Sequence, residues 1–155
     1  MTEVQLHDLT PADLDELMPI ERQVYSHPWT PGNFADALAA GYPGWVLRHQ
    51  QALVAYCLVM EVPDEIHVLN VSVARAWQGR GLARRLLAHV EHHAKARGCS
   101  SVLLEVRVSN QRARQLYASL AYHPIGLRRG YYPSVLGRED AVVMRKLVVA
   151  EARDA

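Results

Sequence analysis

Short apolar runs that suit β-strands recur along the chain and are separated by polar turns. The first run, "VQLHDL", alternates apolar and polar positions, as a strand with one buried face does. Only a short polar turn separates the second run from the third, which predicts a hairpin. The predicted strands are VQLHDL at 4–9, GWVLRH at 44–49, ALVAYCLVMEV at 52–62, IHVLNVSVA at 66–74, SSVLLEVRV at 100–108, YHPIGLRRGYY at 122–132 and EDAVVMRKLVV at 139–149.

Four stretches between these runs have helical periodicity or helix-start signals. The clearest is 81–97, whose apolar residues recur every four positions and which Gly98 ends. A threonine followed by proline predicts helix starts at Thr10 and Thr30, and Asn110 is the predicted cap of the last helix. Pro19 lies inside the first helix, which we expect it to kink or split.

The order of these elements predicts the fold class. A strand, a helix and a strand follow one another from 66 to 108, which implies a parallel pair joined by a crossover. The remaining strands suit antiparallel pairing, so the sequence predicts a mixed sheet with flanking helices, in an α/β or α+β domain. We expect one domain over residues 1–150 and a short tail at 151–155.

Composition narrows the classes of protein to which the chain can belong. The 155 residues carry a net charge of +1, which gives no bulk electrostatic reason to expect nucleic-acid binding. No apolar run approaches the roughly 20 residues of a membrane span, and the first residues do not resemble a secretory signal. We therefore expect a soluble, cytoplasmic protein, in which Cys57 and Cys99 are buried thiols.

A glycine- and arginine-rich loop precedes the clearest helix. Its sequence, "RAWQGRGLARRLL", begins at Arg75 and contains Gly79, Arg80 and Gly81. Unpaired backbone N–H groups and the helix dipole make the start of a helix a site for anions such as phosphate. The spacing matches neither a P-loop nor a dinucleotide fingerprint. Spacing alone leaves two readings open: an anion site, or an ordinary tight loop with solvated arginines.

Six segments, in order, carry a resemblance to a known family. "QGRGLA" at 78–83 resembles the Q/R-x-x-G-x-G/A motif of the GNAT acetyltransferases. The other segments resemble the RimI-type N-terminal acetyltransferases of that family: PW at 28–29, LEVRVSN at 104–110, ARQLYASLAY at 113–122, RRGYYP at 128–133 and GREDAVVM at 137–144. Two positions depart from the family pattern, since Ala121 replaces a usual glycine and Gly130 an asparagine.

The resemblance implies a GNAT fold with one splayed parallel strand pair, and acetyl-CoA as the acetyl donor. It implies that the pyrophosphate of the coenzyme binds the loop, that its pantetheine arm pairs with the strand around Val71, and that Asn110 contacts it. The implied loop residues are Gln78, Gly79, Arg80, Gly81, Leu82 and Ala83, and the implied strand residues are Val71, Ser72 and Val73.

Two residues are candidates for proton transfer. The sequence pattern alone favours a structural role for both: Glu105 as a carboxylate at the end of a strand, paired with an arginine, and Tyr117 as a tyrosine of the core. By resemblance, Glu105 is the general base that takes the proton of the acceptor amine, and Tyr117 is the acid that protonates the leaving thiolate. The resemblance also implies that the segment with Tyr131 and Tyr132 borders the acceptor, whereas the pattern alone equally allows surface packing of these rings. Trp29 is a candidate to line the same groove, or a core residue without a role in binding.

The implied reaction is acetylation of an N-terminal α-amine, with alanine favoured, on a small-subunit ribosomal protein. The alternatives are an acetyltransferase for lysine side chains or small amines, and a non-catalytic module that binds coenzyme A. His89 and His93 have the spacing of metal ligands, but no third ligand accompanies them. We therefore interpret them as the solvated side of their helix and expect no metal. The oligomeric state stays open, with a monomer favoured.

Overall fold

The computed structural model describes residues 3–135 and 137–149 of the chain. Seven strands and four α-helices lie in this part. The strands are β1 (Gln5–Asp8), β2 (Gly44–His49), β3 (Ala52–Val62), β4 (Glu65–Val73), β5 (Ser101–Arg107), β6 (His123–Ser134) and β7 (Gly137–Leu147). The helices are α1 (Leu14–Val24), α2 (Pro31–Ala39), α3 (Leu82–Ala96) and α4 (Gln111–Ser119), and short 3-10 turns cover Pro11–Asp13 and Arg75–Trp77.

The strands form one sheet in the order β1-β2-β3-β4-β5-β7-β6. β4 and β5 pair in parallel, from Glu65 opposite Ser101 to Val68 opposite Leu104. The pairs β1–β2, β2–β3, β5–β7 and β6–β7 are antiparallel. The predicted mixed, mostly antiparallel sheet with one parallel pair is therefore confirmed.

Two compact units divide the chain. The first contains the residues up to Glu61 and Leu69–His89, and the second contains Val62–Val68 and the residues from Val90 onward. The prediction of a single domain over 1–150 stays a prediction. Among the described residues, no helix is long and apolar enough to cross a membrane.

The core of the first unit joins α1 and α2 to strands β2 and β3. Leu17, Phe34, Val46, Tyr56 and Leu58 are fully buried in it. Helix α2 begins as predicted, because the Thr30 hydroxyl accepts the Asn33 N–H at 3.1 Å. Burial of residues on both sides of Pro19 offsets the hydrogen bond that the proline lacks, so α1 runs through it. Of the two expected effects of Pro19, a split of the helix is therefore wrong, and a kink stays a prediction.

In the second unit, β5 shows the predicted alternation. Val102, Leu104 and Val106 are buried, whereas Glu105 and Arg107 lie on the partly exposed face. This alternation brings the Glu105 carboxylate to the surface of the sheet. It also leaves Glu105 on the face that Val143 of β7 shares by register.

The predictions for cysteine and histidine had different outcomes. Cys57 and Cys99 are buried and free, as predicted, and burial raises the pKa of Cys57 to about 12. The interpretation of His89 and His93 as a solvated face was wrong, since both are half-buried. The His89 ring packs edge-on against Trp45 with centroids 4.7 Å apart, so aromatic packing removes it from water. The described residues contain no group of three potential metal ligands.

A buried carboxylate connects several elements of the first unit. Glu21 of α1 is 1% exposed. Its Oε1 accepts hydrogen bonds from the Tyr56 hydroxyl at 2.7 Å and the Asn70 amide at 3.0 Å, and its Oε2 accepts the Trp29 N–H at 2.9 Å. The side chain therefore ties α1 to β3, to β4 and to the segment before α2.

We predict that Glu21→Ala lowers the free energy of unfolding by at least about 3 kcal/mol, because it leaves two buried donors and one partly buried donor without their acceptor. Urea denaturation measures this change. Asp15→Ala, on the exposed side of the same helix, is the control and should change stability by less than about 1 kcal/mol. Equal losses in the two variants would show that the buried network contributes nothing specific.

Candidate active site

The loop before α3 has the backbone geometry of an anion site. Gly79 and Gly81 adopt φ of +77° and +80°, the left-handed region that glycine enters without strain. A Cβ atom at Gly81 would meet no atom within 4 Å, so the backbone faces open space there. The Arg85 N–H bonds to the Gly81 carbonyl at 3.0 Å, and N–H groups earlier in this turn have no acceptor within the helix. A phosphate group therefore fits this loop.

The side chains of the loop have partners within the first unit. The Arg80 guanidinium lies over the Trp77 ring, 4.6 Å from its centroid, and Arg85 donates to the Val4 carbonyl at 2.6 Å. Gln78 donates from Nε2 to the Val73 carbonyl at 3.1 Å. The structure thus brings together Gln78 and Val73, both predicted to bind the coenzyme. Leu82 is buried at the start of α3 and anchors the loop.

Tyr25 is a residue of this site that the sequence analysis missed. Its hydroxyl lies 2.7 Å from the Ser72 hydroxyl and 3.2 Å from the Val71 carbonyl, two of the predicted coenzyme-binding positions. Burial raises the pKa of Tyr25 to about 12, so the phenol stays protonated at neutral pH. No pattern in the sequence pointed to Tyr25, because the contact joins residues far apart in the chain.

Trp29 is held at the start of α2 by two contacts. Its backbone N–H donates a hydrogen bond to the buried Glu21 carboxylate, and the centroid of its ring lies 5.1 Å from that of Phe34. Trp29 also lines a pocket of about 460 Å³ within the first unit. The other lining residues are Asn33, Asp36, Ala37, Ala40, Tyr42 and Leu69.

In the second unit, the structure brings Glu105 together with the segment that follows it in the predicted site. The Arg128 Nε lies 2.9 Å from Glu105 Oε1, and the Tyr131 hydroxyl interacts with the same carboxylate. The Glu105 side chain is 21% exposed. Partial burial and the nearby Glu105 carboxylate raise the pKa of Tyr131, so its hydroxyl stays protonated at neutral pH.

Aromatic and cationic side chains surround this carboxylate. The Tyr131 and Tyr132 rings meet edge to face at 4.9 Å. Arg128 lies 5.3 Å from the Tyr131 ring centroid and Arg107 lies 4.5 Å from that of Tyr132. Such stacking orients both guanidinium groups and leaves the tyrosines in one arrangement.

A second ion pair supports the same surface. Arg107 bonds to Glu139 at 3.3 Å and to the Pro133 carbonyl at 2.8 Å. Hydrogen bonds from Ser109 and from the Arg107 guanidinium hold the pKa of Glu139 below its usual value. These bonds fix β5 to the end of β6 and to β7, which positions the tyrosine pair.

Both departures from the family pattern occupy left-handed backbone. Gly130 has φ of +59° and Ala121 has φ of +72°. Glycine and asparagine are the residues that tolerate this region best, so Gly130 satisfies the same requirement as the asparagine that it replaces. The Gly130 N–H bonds to Asp140 at 2.8 Å, which fixes the irregular part of β6 before Tyr131, where the register with β7 shifts. Ala121 carries the strain that a glycine would avoid.

Helix α4 positions Tyr117 and Asn110. The Asn110 side chain accepts the Ala113 N–H at 3.1 Å, so its capping role is confirmed. Tyr117 is 9% exposed, and its ring lies 6.2 Å from that of Tyr122. The Tyr122 hydroxyl in turn donates a hydrogen bond to the Glu91 carboxylate at 3.0 Å. Core packing therefore holds the Tyr117 ring, while its predicted catalytic role stays a prediction.

The chain was compared with known proteins. The sequence model of the acetyltransferase (GNAT) family matches residues 14–122. The chain is 34% identical over 139 residues to the [ribosomal protein bS18]-alanine N-acetyltransferase of Escherichia coli strain K12. The aligned residues cover 90% of this chain and 94% of that relative. The corresponding enzyme of Salmonella typhimurium strain LT2 is 35% identical over 136 residues, covering 88% of this chain and 92% of that relative.

A solved structure agrees with these relatives. The crystal structure of the ribosomal-protein-S18-alanine N-acetyltransferase from Escherichia coli matches with a TM-score of 0.89 and 31% identity, over 99% of both chains. The family match covers more than half of this chain, and the relatives have nearly its full length. The chain therefore belongs to the acetyltransferase (GNAT) family.

Proposed function

We propose that this protein transfers an acetyl group from acetyl-CoA to the N-terminal α-amine of a protein, with alanine the favoured terminal residue. The observation that carries the proposal is a carboxylate, Glu105, on a sheet surface between an arginine and a pair of tyrosines. The relatives named above act on alanine of ribosomal protein bS18, which makes the equivalent small-subunit protein the expected acceptor. An acceptor on the ribosome implies a cytoplasmic location.

The loop at 78–83 and strand β4 are proposed to hold acetyl-CoA. The left-handed glycines of the loop, with open space beside Gly81, suit its pyrophosphate, and the backbone around Val71 and Val73 is proposed to pair with its amide groups. When bound, the coenzyme supplies an acetyl group activated as a thioester. The family match at 14–122 includes residues of both units, which supports one catalytic domain over 1–150.

Glu105 is proposed as the general base. An α-ammonium has a pKa near about 8, so the carboxylate has only a modest barrier to overcome in accepting its proton. The amine then has a free lone pair for attack on the acetyl carbon. Tyr131, Tyr132 and Trp29 are proposed to orient the first residues of the acceptor, which lowers the entropic part of the barrier.

Tyr117 is proposed as the general acid. Its phenol would give a proton to the sulfur as the thiolate leaves, and α4 holds the ring against Tyr122. The Tyr25 hydroxyl lies beside Ser72 and Val71. Tyr25 is therefore proposed to hold β4, the strand proposed to bind the coenzyme, in place.

We predict that the α-amine of a peptide is acetylated in preference to a lysine amine. At pH 7 far more of the α-amine is deprotonated, since the pKa of lysine lies above about 10. Two peptides of one sequence, each with an internal lysine, are compared, one with a free terminal alanine and one pre-acetylated. Mass spectrometry locates the added acetyl group. Equally fast modification of the lysine in the blocked peptide would favour a lysine or small-amine acetyltransferase instead.

We predict that acetyl-CoA raises the melting temperature of the protein and that Gly81→Asp removes this rise. A ligand at about 100 times its Kd stabilises the native state by about 2.7 kcal/mol, and the new carboxylate would repel the pyrophosphate. Gly41→Asp is the matched control, because Gly41 has φ of +86° and equally open surroundings. Both substitutions put an L side chain in the left-handed region, so the two variants carry a similar backbone strain and differ in position. Thermal shift measures the effect. A full rise in Gly81→Asp, or its loss in Gly41→Asp, would contradict the coenzyme site.

We predict that Tyr117→Phe lowers kcat by about 100-fold while acetyl-CoA binding changes little, because it removes only the proton donor. Tyr122→Phe is the control. It removes the hydroxyl of the neighbouring ring, which bonds to Glu91, and should lower stability without such a loss of kcat. Single-turnover kinetics and coenzyme titration separate the two quantities. If kcat is unchanged in Tyr117→Phe while the chemical step is rate-limiting, Tyr117 is not the general acid and only packs in the core.

A further inference from the structure

We propose that Arg128 is a specificity-determining residue, which occupies Glu105 until an acceptor amine displaces it and then favours the uncharged form of that amine. The inference rests on the proposed function, in which Glu105 receives the proton of the acceptor. It starts from the ion pair between Arg128 Nε and Glu105 Oε1, at 2.9 Å. In the absence of an acceptor, a cation of the protein itself thus lies where the acceptor ammonium must bind.

Strand register shows that this contact is not forced by position. Arg128 lies opposite Ala141 of β7, and Ala141 lies opposite Arg107 of β5. The Arg128 side chain therefore crosses diagonally to reach Glu105, rather than meeting the residue in its own row. Arg107 has its own partners in Glu139 and Tyr132. The two arginines on this face therefore have different partners: Arg107 contacts Glu139 and Tyr132, whereas Arg128 contacts the proposed base, Glu105.

The pair is weak enough to exchange. The Arg128 side chain is 53% exposed, and ion pairs this accessible to water contribute little to stability because water competes for both charges. The Tyr131 ring offers the guanidinium a second favourable contact, 5.3 Å from its centroid. Arg128 can therefore leave the carboxylate and remain over the tyrosine, close to the acceptor.

A cation held there selects the protonation state of the acceptor. Like charges at close range disfavour the ammonium form, so an acceptor beside Arg128 gives up its proton to Glu105 more readily. The proton passes from the ammonium nitrogen to the carboxylate, and the nitrogen retains the electron pair. The charged or titratable groups that the described residues place on this face of β5, β6 and β7 are Glu105, Arg107, His123, Arg128, Tyr131, Tyr132, Glu139 and Arg145.

The test compares Arg128→Gln with the wild type, measuring kcat and KM for a free-terminus alanine peptide between about pH 6 and 9. We expect Arg128→Gln to lower KM at pH 7 by about threefold, because the competing cation is gone. We expect kcat at pH 7 to fall, and the midpoint of its rise with pH to move upward by about half a unit. Arg128→Lys keeps the charge and should restore the wild-type midpoint.

Arg129→Gln is the matched control, since it removes the same charge from the next residue of β6, which is exposed. It should leave KM and the pH midpoint unchanged. An unchanged midpoint and KM in Arg128→Gln would overturn the inference, as would the same shift in Arg129→Gln. A wild-type enzyme that does not acetylate the peptide at any pH would instead overturn the proposed function.

Discussion

The Glu21 carboxylate is the constraint on which the first unit depends. Three donors from separate segments bond to it, two of them fully buried, and a buried donor that loses its acceptor is costly. One of them, the Asn70 amide, belongs to β4, and its oxygen accepts the Ser72 hydroxyl at 2.6 Å. Tyr25 then reaches Ser72 and the Val71 carbonyl. Strand β4 and Trp29 are therefore both held by one side chain of α1.

Glu105 has the opposite environment, and this difference suits its proposed role. Its partners are an exposed guanidinium and a phenol, both of which water can replace at low cost. A carboxylate fixed as Glu21 is could not exchange partners with a substrate. Burial makes the first carboxylate structural, while partial exposure leaves the second available to an acceptor amine.

Backbone conformation explains two features of the sequence that composition does not. Gly81 and Gly130 both adopt positive φ, the first facing open space before α3 and the second at the register shift of β6 that precedes the tyrosine pair. Ala121 occupies the same region without being glycine, directly after α4. These positions mark where the chain must turn sharply to present a loop or a side chain.

The sequence alone determined the order and type of the strands and helices, because apolar periodicity, threonine caps and glycine stops are local signals. It also determined the face of β5 on which Glu105 lies, because side chains of a strand alternate. Only the tertiary structure decided which side chains meet. Four contacts join residues that are distant in the chain. They are those of Tyr25 with Val71, of Glu21 with its three donors, of Arg128 with Glu105 and of Trp45 with His89. Such contacts depend on how the strands are ordered and aligned in the sheet, which no local pattern encodes.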